Sequence, residues 1–299
     1  MIKARRIRHA TVTTDDIDRQ VDYFRSVVGL GVAEREAGRV LMSSDSEQLS
    51  LVIEKAGQRS VPKLAFEIAA DADFAAMARE LSDKGIKTEL RSDDLPGISK
   101  ILTMTDHEGM QVELMANGSS CAAEQPVGGL AVLKLGHVAM YTGSPQATSL
   151  FYGDVLGFKV SDWIEENFVF MRCGYDHHTL NFARGDGRRL HHMAFELRDS
   201  AHMQQACDLL GRKKIEILWG PVRHGPGHNV AIYHRNPDGH LIELFFDMDR
   251  MADEELGYYE PRPWHRDRPQ KPKVWRGLPR DIWGLAPSAA CHEFARKPQ

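Results

Sequence analysis

The sequence predicts an α+β protein built from four βαβββ modules, curled pairwise into two half-barrel domains, with an extended C-terminal arm. Three observations carry this. The chain repeats itself at a nearly constant offset, each repeat contains the same order of strand and helix signals twice, and the tail after Arg250 obeys neither pattern. At 299 residues, with 42% hydrophobic and 27% charged residues, the chain has room for two medium-sized cores.

The repeat is read in three blocks. "IRHATVTTDDIDRQVDYFRSVVGLGV" (7–32) matches "LGHVAMYTGSPQATSLFYGDVLGFKV" (135–160), pairing His9 with His137, Phe24 with Tyr152 and Gly29 with Gly157 at a single offset. "KLAFEI" (63–68) matches "HMAFEL" (192–197) with the offset one position longer, and "DHEGMQVELM" (106–115) matches "NPDGHLIELF" (236–245) with it one longer again. These offsets predict homologous domains over 1–118 and 130–250, joined by the small-residue, polar linker "ANGSSCAAEQPVGG".

In the second repeat, "LGHVAMYT" alternates as a strand does. Ser144 and Pro145 read as an N-cap and a first-turn proline, and Gly157 closes the helix that runs to about Leu156. Strands are expected near 158–163, 168–173 and 177–183. The order then recurs: a strand over 190–197, a helix from Asp199 or Ser200 to Leu210 capped by Gly211, and strands near 214–219, 229–235 and 240–246. Helices interleaved with strands in this order pack on one face of mixed sheets. After Arg250 the Pro-, Arg- and Trp-rich tail (251–299) predicts an extended arm on the surface. Its tryptophans, Trp264, Trp275 and Trp283, are expected to be buried against a domain or a neighbouring subunit, because disordered segments are poor in aromatics.

A net charge of −4 argues against a nucleic-acid partner or an anionic membrane surface. No apolar run reaches a membrane span, and the start "MIKARRIRHATVTTDD" lacks a signal-peptide core. Cys121, Cys173, Cys207 and Cys291 lack metal-site spacing and read as reduced thiols of a cytoplasmic protein.

The strand "HLIELFF" reads as buried, and an unpaired buried carboxylate is costly, so Glu243 needs a partner. His137 and His192 lie on the first strands of the two modules of the same domain, so both side chains can converge on Glu243 in the concavity of one sheet. Two neutral imidazoles and a carboxylate form the facial triad typical of non-haem Fe(II) sites. A single histidine on a strand is more often a core residue than a ligand, and the repeat shifts that balance. The first domain keeps His9 and Glu113 but has Lys63 where His192 stands, a cation that repels a metal and can pair with Glu113. One metal per chain, in the second domain, is therefore expected.

The run "VRHGPGHNVAIYHRNPDGHLIE" resembles the signature of the type I extradiol ring-cleavage dioxygenases of the vicinal oxygen chelate superfamily: a His (His224), a Tyr (Tyr233), Asn236-Pro237-Asp238-Gly239, then the Glu ligand (Glu243). "LGHVAM" and "LHHMAFE" resemble the family's other two ligand strands, with His137 and His192 in the ligand positions. "DHHTLNF" resembles the stretch carrying an active-site His, placed here at His178, with Phe182 shortly after it as an expected substrate contact. The resemblance covers both domains. It implies meta cleavage of a catechol-type diol with O2 at Fe(II), Mn(II) being the alternative metal, and a homo-oligomer. In that scheme His178 handles protons and reduced oxygen, Tyr233 hydrogen-bonds substrate, and His224 orients the catecholate. His228, on the same loop, is expected to touch substrate, whereas His177, His191, His234 and His240 are expected to be structural or exposed. Where some members carry a basic residue shortly before the His224 position, this chain has Trp219, which favours an apolar substituent over a carboxylate. The alternatives are a metal-dependent glyoxalase-like isomerase and a non-catalytic ligand-binding protein of the bleomycin-resistance type.

Overall fold

The computed structural model describes residues 2–46, 48–92, 95–116, 123–124, 128–262, 270–277 and 281–293. The first module is β1 (Arg6–Thr14), α1 (Ile17–Tyr23), β2 (Gly31–Glu36), β3 (Arg39–Ser43) and β4 (Leu49–Lys55). The second is β5 (Ser60–Ile68), α2 (Phe74–Asp83), β6 (Thr88–Arg91), β7 (Ile101–Thr105) and β8 (Gln111–Ala116). The third is β9 (Leu135–Thr142), α3 (Pro145–Leu156), β10 (Lys159–Ile164), β11 (Phe168–Arg172) and β12 (Leu180–Arg184). The fourth is β13 (Arg189–Glu196), α4 (Ser200–Arg212), β14 (Trp219–His224), β15 (Val230–Arg235) and β16 (Leu241–Phe246). The βαβββ grammar thus occurs four times.

Each module's first strand sits mid-sheet beside the other module's first strand. The first sheet runs β2-β3-β4-β1-β5-β8-β7-β6, and the second contains β10-β11-β12-β9-β13-β16-β15-β14 in the same relative order. The β1–β5 and β9–β13 seams are antiparallel.

Local chemistry sets the helix ends. Ser144 Oγ accepts from Ala147 N at 3.3 Å and Pro145 opens α3. Gly157 closes that helix in the left-handed region, at φ 71°. Asp199 caps α4 through His202 N at 2.9 Å. The other end of α4 differs from expectation. The helix passes through Gly211 to Arg212, and the left-handed residue is Lys214 (φ 56°), because the Leu210 carbonyl still receives a hydrogen bond from Ile215 N. In the first module the helix continues as a π-turn over Phe24–Val28 before Gly29. The last module's second strand also differs: residues 215–218 form no strand, and β14 begins at Trp219, just after Leu218 N bonds Tyr233 O of β15 at 2.8 Å.

The two halves lock crosswise through equivalent tight turns. Asn236 Oδ1 accepts from Asp238 N (3.1 Å) and His240 N (2.8 Å), while its amide donates to Gln20 on α1 (3.1 Å). The matching Asp106 accepts from Glu108 N, Met110 N and the Tyr152 hydroxyl of α3. Buried side chains from both halves form one continuous apolar cluster.

Among its described residues the arm forms regular elements that its lack of periodicity did not indicate. A short hairpin, β17 (Met251–Asp253) and β18 (Tyr258–Tyr259), leads to β19 (Lys273–Trp275) and β20 (Asp281–Gly284), followed by α5 (Ala289–Glu293). β19 adds to the edge of β10 and β20 to the edge of β14, so the arm reaches both edges of the second sheet. Trp275 is half-buried and donates from Nε1 to Asp162 (2.6 Å). Trp283, expected to be buried, is 49% exposed, because its strand lies at the sheet edge. Trp264, Cys121 and most of the linker lie outside the described residues.

Candidate metal centre and active site

One row of side chains crosses five strands of the second sheet. His137 on β9 pairs with Ala194 on β13, Ala194 with Glu243 on β16, Glu243 with Tyr233 on β15, and Tyr233 with Trp219 on β14. Paired residues point to the same face, and His192, two positions before Ala194, shares it. Ala194 is small, so the ligands on either side approach over it. Residues 55 and 106 positions apart in sequence thereby come into contact.

The atoms meet at one point. His137 Nε2 lies 3.2 Å from His192 Nε2 and 3.1 Å from Glu243 Oε2, and His192 Nε2 lies 3.0 Å from the same oxygen. With the carboxylate ionised, protons cannot satisfy all three contacts whatever the tautomers, since at least one pair faces lone pair to lone pair or proton to proton. A single cation satisfies all of them. The separations are short enough for all three atoms to bind one ion at bonds of about 2.1 Å. Among the described residues this is the one cluster of His, Cys, Asp and Glu with metal-holding geometry. The residues therefore fit a divalent metal.

Electrostatics are consistent with that fit. Burial pushes the Glu243 pKa up, but His137 and His192 outweigh it and hold the carboxyl well below its ordinary range. Burial lowers the His137 pKa against the opposing pull of Glu243, which keeps the imidazole neutral, as a ligand must be. Glu243 Oε1 accepts a hydrogen bond from Asn229 Nδ2 at 2.9 Å, which orients the carboxylate. Asn229 was not among the sequence-predicted residues, since a loop asparagine carries no pattern of its own.

Above the triad opens a cavity of about 780 Å3. His178, His224, Tyr233 and Trp219 all line it. The His178 ring lies 4.3 Å from that of His137. Its Nδ1 is 3.0 Å from His177 Nδ1, and burial, with neighbouring imidazoles, drives its pKa well below the ordinary value. His224 Nε2 lies 2.8 Å from the Tyr233 hydroxyl, and Trp219 stacks on the Tyr233 ring at 4.7 Å. Burial and the Glu243 charge raise the Tyr233 pKa well above 10.0, so it is a phenol there.

Two expected substrate contacts are corrected. Phe182 points to the other face of β12, into the core against Tyr152, while Asn181 faces the cavity, because strand side chains alternate. His228 turns away from the cavity and bonds Asp249 Oδ2 at 2.7 Å beside Trp275. His177, His234 and His240 are buried and do not line the cavity; His234 bonds the Tyr23 hydroxyl at 2.6 Å. His191 was expected to be structural or exposed, yet it lines the cavity, half-buried against Tyr141. Residues missed from the sequence include Phe170, Asn181 and the arm's Asp281, Ile282 and Trp283. The arm lacks both repeat and motif, so nothing local marked it as a wall of the site.

In the first domain the equivalent row is His9, Ala65 and Glu113. Lys63 Nζ lies 3.9 Å from Glu113 and 3.0 Å from Glu54, and the Arg91 guanidinium also bonds Glu113. Two cations thus stand where a metal would, the second of which the sequence did not reveal.

A family profile described as the Glyoxalase/Bleomycin resistance protein/Dioxygenase superfamily matches residues 6–114 and 134–244, most of both repeats. The chain belongs to this superfamily. Among its relatives, the 2,2',3-trihydroxybiphenyl dioxygenase of Sphingomonas paucimobilis is 22% identical over 281 residues, covering 87% of this chain and 92% of the relative. Two solved structures share the superfamily fold at a TM-score of 0.84 and 22% identity. The homoprotocatechuate 2,3-dioxygenase of Arthrobacter globiformis aligns over 98% of this chain and 92% of its own. The Mn(II)-bound glyoxalase of Novosphingobium aromaticivorans aligns over 97% and 94%.

Proposed function

We propose that the protein is an extradiol dioxygenase, which uses O2 and a divalent metal to cleave a catechol-type ring beside its two hydroxyls. Both oxygen atoms enter the product, a ring-opened semialdehyde or keto acid. The observation that carries this reading is the convergence of His137, His192 and Glu243 on one point, at the base of a cavity that also presents His178, His224 and Tyr233. Relatives named as dioxygenases of hydroxylated biphenyls support it. Fe(II) is the proposed metal, with Mn(II) as the alternative; when bound, it supplies O2 activation and acidifies the catechol hydroxyls.

The remaining work falls to the chain's own side chains. His137, His192 and Glu243 would hold the metal at the base of the cavity, where substrate can reach it. His224 and Tyr233 form one hydrogen-bonded pair that orients a catechol oxygen, and His178, beside His137, accepts and returns a proton at its ring nitrogen. Phe170, Ile164, Leu190 and Trp219 line the cavity with apolar surface that keeps water from the reacting ring. Arg235, the cation of the cavity wall nearest the arm, already donates to the carbonyls of Gly239 and Ala290 (2.8 Å each). The substrate proposed is accordingly a diol with an apolar substituent rather than a carboxylate, held by Trp219. Residues 1–118 act as the metal-free domain, 130–250 as the catalytic domain and 251–299 as an arm. A homo-oligomer working in the cytoplasm completes the proposal.

The test is anaerobic loading with Fe(II), then air and a panel of catechols. Yellow product with stoichiometric O2 uptake is expected for apolar-substituted catechols. His192→Ala should lose bound metal and activity together. Absence of O2 uptake with every catechol in iron-loaded protein refutes the reading. Isomerisation of a thiol adduct without O2 uptake would establish the glyoxalase-like alternative instead, and binding without turnover the ligand-binding one.

A further inference from the structure

We propose that Asp281, on the arm strand β20, is a positioning residue for the active site: it fixes the tautomer of His224 so that the imidazole presents an acceptor nitrogen to Tyr233. The inference rests on the proposed dioxygenase reading for its kinetic consequence, but not for its geometry.

The geometry is a three-residue chain. Asp281 Oδ1 lies 2.8 Å from His224 Nδ1, and His224 Nε2 lies 2.8 Å from the Tyr233 hydroxyl. A carboxylate only accepts, so the proton sits on His224 Nδ1. In the neutral ring Nε2 is then a lone pair, and the buried Tyr233 phenol donates to it. Tyr233 in turn pairs with Glu243 across β15 and β16, so the chain runs from the arm to the metal centre. Asp281 and His224 are themselves register partners on β20 and β14, where opposed side chains meet.

Docking of the arm does not depend on this contact. Trp219 Nε1 donates to Leu285 O (2.9 Å), Ser288 N to Leu218 O (3.1 Å), and Arg235 to Ala290 O. Gly284 lets the two strands touch: a Cβ there would fall 2.7 Å from Val222 Cα. The arm therefore has its own seat, and the Asp281 carboxylate adds a contact whose specific effect falls on His224. Without it the ring samples both tautomers and rotates, and Tyr233 loses its acceptor for part of the time.

The experiment compares Asp281→Ala, Asp281→Asn and Asp281→Glu in the full-length, metal-loaded protein. A substituted catechol serves as substrate for kcat and KM. 15N-histidine NMR of the Zn(II)-loaded protein reads the tautomer, with the His224 signals identified by their loss in His224→Gln. Expected are an Nδ1–H, Nε2-acceptor ring in the parent and a kcat lowered roughly 10- to 100-fold in Asp281→Ala, with KM changed by less than about threefold. Asp281→Asn should do no better, since its amide can donate to Nδ1 and trap the opposite tautomer, whereas Asp281→Glu should restore part of kcat. A merely structural carboxylate would let the isosteric Asn restore activity. Parental kcat and tautomer in Asp281→Asn, or an Nε2–H ring in the parent, overturns the proposal. If no variant, parent included, consumes O2, the dioxygenase reading fails, and the NMR arm alone decides the role of Asp281.

Discussion

Removing the side chain of Asn229 is expected to weaken metal binding without disturbing the fold. Asn229 Nδ2 donates to Glu243 Oε1 at 2.9 Å, and both residues are 1% exposed. In Asn229→Ala that oxygen loses its donor while Oε2 still faces the two imidazoles. A hydrogen bond to a charged group contributes about 1.5–3 kcal/mol. At about 1.4 kcal/mol per decade this is roughly a 10- to 100-fold rise in metal Kd, the range found when a ligand's hydrogen-bond partner is removed elsewhere. The main-chain bond from His224 N to Asn229 O (3.0 Å) does not need the side chain, so circular dichroism should be unchanged. The assay is competition with a chromophoric chelator for Fe(II) or Mn(II) under argon. A Kd within twofold of the parent would refute the claim that Asn229 sets the carboxylate for the metal.

Metal titration should saturate at one ion per chain. Lys63→His alone should not add a second, because the Arg91 guanidinium still occupies Glu113; two ions bound to either protein contradicts this. Glu113 also predicts acid sensitivity. Burial raises its pKa, but His9, Lys63 and Arg91 outweigh burial and bring it from 4.5 to about 2. A depressed folded-state value contributes stability above pH 4.5 that is lost as pH falls toward 2: about 3 kcal/mol in all, of which about 2 kcal/mol is gone at pH 3. Urea unfolding at pH 6 and pH 3 should show a loss in the parent about 2 kcal/mol larger than in Glu113→Gln; equal losses exclude this carboxylate as the cause. Gly136→Ala should destabilise by about 1–3 kcal/mol and weaken metal binding. Its Cβ would fall 2.4 Å from the buried Phe245 ring, which packs on His137. Parental urea midpoint and metal affinity in this variant would show that the Phe245 ring yields freely.

The sequence by itself determined the α+β class and the fourfold module, and it singled out the His137, His192 and Glu243 that converge in the second sheet. These are legible because they repeat or alternate. A duplicated chain displays its own alignment, and a strand's period of two tells which residues share a face. The Lys63 departure from the repeat likewise marked the domain whose carboxylate faces cations. Tertiary structure decided what has no period. Phe182 carried the family's spacing, yet β12 turns it into the core and gives Asn181 to the cavity. His228 lay on the right loop, yet the loop closes it onto Asp249. Arg91 cancels the first site from a strand 22 residues before Glu113. Asp281 reaches His224 from 57 residues away, along an arm with no repeat to announce it. The reason is the same in each case. Register and face follow from local pattern, whereas contact between a sheet and a segment without pattern depends on where the chain's free edges lie, and those edges exist only once the sheet is built.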